Sequence, residues 1–72
     1  MTIKLKLHEA IATAARVAMV DGIRHDVWQN PENEDECVVV MSSMWHRVMT
    51  RGELDSYQLV GSATPASWES NV

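Results

Sequence analysis

Apolar and polar positions alternate at the start of the chain, where Ile3, Leu5 and Leu7 are interleaved with Thr2, Lys4, Lys6 and His8. A period of two predicts a half-buried strand with a basic outer face. The spacing then lengthens. From Ala10 onward Ile11, Ala14, Ala15 and Ala18 fall on one helical stripe, widened by Val17 and Met19. The segment is rich in alanine and has no internal Gly or Pro, which favours helix. Asp21-Gly22 predicts its end, because glycine accepts the left-handed backbone common at helix C-termini. A small alanine face would let this helix approach a sheet closely.

Alternation returns from Ile23 to Gln29, with Ile23, His25 and Val27 on one face and Arg24, Asp26 and Trp28 on the other. Asn30-Pro31 and the acidic run Glu32 to Glu36 predict a break, since proline lacks the donor that a central strand needs. Cys37-Val38-Val39-Val40-Met41 is a β-branched run suited to a strand buried on both faces. These two segments predict a hairpin joined by a long acidic loop. Ser42–Thr50 can be read two ways. Met41, Met44, Trp45, Val48 and Met49 fit a short helix, capped by Ser42 or Ser43 and ended by Gly52. A strand would put Trp45, Arg47 and Met49 on one face and mix polar with apolar residues, so the helix is favoured. Asp55–Gly61 predicts a last strand with Tyr57 and Leu59 on one face, and Ser62–Val72 an irregular tail anchored by Trp68.

The fold class expected is therefore α+β, a small antiparallel sheet with one main helix packed on it. The element order is β-α-β-β-(short α)-β, with residues 1–61 as a single domain and 62–72 as tail. That order matches the split βαβ, ferredoxin-like connectivity.

Composition sharpens the picture. A chain of 72 residues buries only about 60% of the surface its unfolded form exposes, and domains this small usually need a disulfide, a metal or a partner. Cys37 is the single cysteine, so no internal disulfide can form, and no Cys/His spacing of zinc-finger type occurs. A partner is the remaining route, which predicts a homodimer or a hetero-complex. Neither a membrane span nor the continuous apolar stretch of a secretory leader is present, and one unpaired cysteine suits a reducing compartment. A cytoplasmic protein is expected. Ten acidic against six basic residues give a net charge of −4, the wrong sign for direct binding of phosphates and the right one for a basic protein surface.

Catalytic and metal chemistry find little support. His25, Cys37 and His46 could converge on a metal only from afar, without the paired local spacing that marks zinc sites. Cys37 follows four acidic residues in five positions, which disfavours a reactive thiolate. Its simpler role is that of a small buried hydrophobe. Phosphate-loop, nucleophile-elbow and metalloprotease motifs are all missing. No enzymatic activity, cofactor or metal is predicted.

Two features point to binding. The run Glu32, Glu34, Asp35 and Glu36 concentrates negative charge, with Asp21 and Asp26 as possible extensions; the plain alternative is a solvated hairpin tip. Three tryptophans in a chain without phenylalanine are a heavy load, and tryptophan is enriched at interface hot spots. Trp45 reads as core. Trp28 shares its face with Arg24 and Asp26, and could serve either core or interface. The expected contact set is Asp26, Trp28, Glu32, Glu34, Asp35 and Glu36, presented to a protein partner with a basic surface. In this general profile, small, acidic and without catalytic residues, the chain resembles phage-encoded inhibitors of host proteins, including anti-CRISPR proteins. The profile equally fits many other small bacterial proteins. The expected function is stoichiometric occlusion of a partner. The alternatives are a small-ligand or nucleic-acid module using Lys4, Lys6, Arg47 and Arg51, and a structural homodimer subunit.

Overall fold

A computed structural model of the chain describes residues 5–41 and 56–71. One helix, α1 (Leu7–Asp21), packs on a four-stranded sheet of β1 (His25–Asn30), β2 (Asn33–Met41), β3 (Gln58–Ala63) and β4 (Trp68–Ser70). The spatial order is β2-β1-β3-β4 and every pairing is antiparallel. The expected α+β class is the one observed.

The helix starts at Leu7, inside the segment whose alternation predicts strand through His8. Lys6 is the N-cap, and its backbone N–H donates to Glu9 Oε1 at 3.3 Å, which supplies one arm of a capping box. Gly22 ends α1 at φ 69°, and its N–H donates to Ala18 O at 2.9 Å. The stripe that meets the sheet is Ala10, Ala14 and Ala18, all fully buried. Their i, i+4, i+8 spacing forms a single row of methyl groups. Ile11 and Ala15 sit half-buried at its margins, and Met19, expected to widen the stripe, is 72% exposed.

The methyl row lies against Val27, Cys37 and Ala63, with Leu5, Leu7, Val39, Val60 and Trp68 around them. On the opposite face of the sheet Trp28, Val38 and Val40 form a second buried group, packed by Tyr57 and Leu59. The two faces of β1 divide as its alternation requires. Val60 is an extra residue in β3, because Val27 pairs with Gly61 while Trp28 pairs with Leu59. This bulge turns both Val60 and Gly61 towards the helix side.

Leu5 forms an isolated antiparallel bridge with Cys37 on the outer edge of β2, each N–H donating to the other's carbonyl at 2.8 Å. Leu5 therefore runs parallel to β1 with β2 between them, which is the split βαβ arrangement. The final strands depart from the ferredoxin-like pattern. There the last strand would lie beside the N-terminal segment, whereas β3 lies beside β1.

Two further differences concern boundaries. The acidic run is not a loop, since β2 begins at Asn33 and only Pro31 and Glu32 connect the strands. Of the expected irregular tail 62–72, the described residues 62–71 contribute to the sheet. Ser62 and Ala63 complete β3, a turn over residues 64–67 reverses the chain, and Trp68–Ser70 add an edge strand. Of the N-terminal strand only Leu5 onward is described. The short helix expected at Ser42–Thr50, with Trp45 and His46, lies outside the described residues.

Candidate functional site

The hairpin between β1 and β2 owes its shape to Pro31. Proline holds φ near about −65°, so the two-residue connection cannot adopt the I′ or II′ turn whose twist suits a hairpin. Pairing is lost one step inside the turn. Asn30 faces Asn33, but Gln29 faces Cys37, which leaves Glu34, Asp35 and Glu36 as an acidic bulge on β2. Side chains take over from the ladder. Asn30 Oδ1 accepts from the Glu32 N–H at 2.9 Å, Asn33 Oδ1 accepts from the Asp35 N–H at 3.1 Å, and Gln29 Nε2 donates to Glu34 O at 3.2 Å.

The bulge sorts the four acidic side chains. Glu32, Glu34 and Asp35 are exposed, and none takes part in the ion pairs found among the described residues. Glu36 turns inward, half-buried, and its Oε2 accepts from Asn30 Nδ2 at 3.1 Å and from the Tyr57 hydroxyl at 3.3 Å. One carboxylate therefore braces the hairpin against the chain before β3, while three face water at its tip.

Asp26 and Trp28 do not join that tip. Asp26 is buried four residues back along β1, about 13 Å away at ~3.3 Å per residue. Its Oδ1 accepts from Ser62 Oγ at 2.5 Å and from Arg24 Nε at 3.1 Å, and Arg24 Nη2 donates to Ser62 Oγ at 3.1 Å. A buried carboxylate so satisfied is a structural anchor of the β1–β3 pair. Trp28 is only 9% exposed, between Val38 and Leu59, and its buried indole N–H has no hydrogen-bond partner among the described residues. Asp21 lies at the far end of the molecule from the hairpin tip, with Oδ2 3.8 Å from His25 Nε2.

Cys37 is fully buried beneath α1, and its thiol donates weakly to Glu34 O at 3.5 Å. Burial pushes its pKa up; a side-chain hydrogen bond with Gln29 opposes that rise in part, and the Asp35 charge adds a smaller upward push. His25 is buried as well, with Nδ1 2.8 Å from Ile23 O. Among the described residues no group of three or more His, Cys, Asp or Glu side chains is placed to hold a metal ion. No helix among them is long and apolar enough to cross a membrane.

The sequence reading missed two features. One is the Arg24–Asp26–Ser62 cluster, whose local signal is only the Arg-x-Asp spacing on β1. The other is a half-open groove of about 130 Å³ between the end of α1 and the 64–67 turn, lined by Ala15, Met19, Pro65 and Trp68 among others. Met19 in its wall and the next residue, Val20, are 72% and 79% exposed.

Comparison with protein-family models, with curated proteins and with solved structures finds no match for this chain.

Proposed function

We propose that the protein is a small acidic binding protein that inhibits or regulates a protein partner by stoichiometric occlusion. The contact is made by the hairpin tip through Glu32, Glu34 and Asp35. The observation that carries this reading is the arrangement of those three carboxylates. They are exposed and unpaired among the described residues, Glu32 in the turn and Glu34 and Asp35 on the bulge, and hydrogen bonds made by the Asn30, Asn33 and Gln29 side chains hold this tip in shape. Anionic groups held in place incur less ordering entropy on binding than groups on a mobile loop, and they steer encounter with a basic surface. The partner so defined is a protein with a cationic groove, of the kind that handles nucleic acid. Asp26 and Trp28 support the sheet behind the tip, and Glu36 braces it.

The test is affinity capture from a lysate of the source organism or its host, at low and high salt, with wild type and a Glu32→Lys, Glu34→Lys, Asp35→Lys variant. The reading expects one stoichiometric partner, weakened by salt and lost with the variant. Equal capture by both proteins at low salt overturns the role of the tip. If no partner is captured and light scattering shows self-association, the chain is a homodimer subunit instead.

A further inference from the structure

We draw no further inference here: the strongest candidate, the half-open apolar groove of about 130 Å³ between the C-terminal turn of α1 and the 64–67 turn, with Met19 and Trp68 in its walls, carries nothing because no feature of the structure shows what covers it.

Discussion

Trp68 lies across Gly61 so closely that a Cβ on the glycine would stand 2.6 Å from the indole Cζ2 and 2.5 Å from the Glu69 carbonyl oxygen. The glycine is needed for this approach and not for its backbone angles, since only Gly22 has a positive φ among the described residues. Gly61→Ala must therefore push β4 away from β3. Overpacking of this kind costs about 1–3 kcal/mol, and each kcal/mol lowers Tm by roughly 4–8 °C in a domain of this size. Thermal denaturation of Gly61→Ala checks the size of the loss. Trp68→Ala removes one of the two clashes, so Gly61→Ala should cost less in a Trp68→Ala background than in the wild type, though still something because the Glu69 carbonyl remains.

The bond from Ser62 to Asp26 joins residues 36 apart in the chain and ends on a buried carboxylate. Hydrogen bonds to charged groups contribute about 1.5–3 kcal/mol, so Ser62→Ala should cost an amount in that range. The Arg24 side chain is 53% exposed, and solvent screening limits such a pair to about 0–1 kcal/mol. Arg24→Gln should accordingly be mild. Urea denaturation of the two variants ranks them, and a larger loss for Arg24→Gln would show that the guanidinium, not the hydroxyl, holds Asp26.

These two contacts also mark where sequence reading stops. The helix, its Gly22 end and the two faces of β1 were legible because each depends on neighbours within one or two turns of chain. The acidic segment reads as loop because Pro31 and four carboxylates carry the signature of one. What keeps it in the sheet is a set of amide side chains, Gln29, Asn30 and Asn33, that hydrogen-bond where the ladder fails. β4 reads as tail in the sequence because its pairing depends on the bare surface of Gly61, a match no local pattern announces. Of the proposed contact residues, the exposed tip could be placed from charge alone. The burial of Asp26 could not, since it depends on Ser62 arriving from β3.

Ala14 lies at the middle of the buried alanine row, where the helix meets the sheet. Ala14→Leu would insert three carbons where none fit and should cost about 1–3 kcal/mol or more. Ala12 is on the exposed side of the same helix, and leucine is nearly as good a helix former as alanine. Ala12→Leu should stay within about 0.5 kcal/mol of wild type. Comparable losses in the pair, measured by chemical denaturation, would refute the close helix–sheet packing.

Burial raises the Cys37 pKa above its ordinary value of 9.0, and this sets a direction for stability at alkaline pH. Between the unfolded and the folded pKa the unfolded chain has lost the thiol proton while the folded chain keeps it. The unfolded state then binds fewer protons, so stability falls as pH rises. The contribution of the thiol is whole below about pH 9 and declines above it. Urea midpoints for wild type and Cys37→Ala across that window should converge as pH rises, the wild type losing more. Parallel curves would mean that the thiol ionises as readily in the folded protein. The native thiol should also resist alkylation at neutral pH until denaturant is added.

Glu36 and its three neighbours carry the same charge but different work, and mutation should separate them. Glu36 accepts from Asn30 and Tyr57 in a half-buried position, so Glu36→Ala leaves two donors short of their acceptor. Lost hydrogen bonds to a charged group predict a cost of about 1.5–3 kcal/mol, read as a lower urea midpoint. Glu32, Glu34 and Asp35 make no comparable side-chain bond among the described residues, and surface substitutions of that kind stay within about 0.5 kcal/mol each. Their triple lysine variant should therefore fold normally while losing partner capture. This is why Glu36 is left out of the binding test, since a variant that unfolds the hairpin would lose the partner for the wrong reason. If the triple variant proved as unstable as Glu36→Ala, the tip carboxylates would be part of the hairpin's own scaffold, and the case for an outward-facing contact would fall with it.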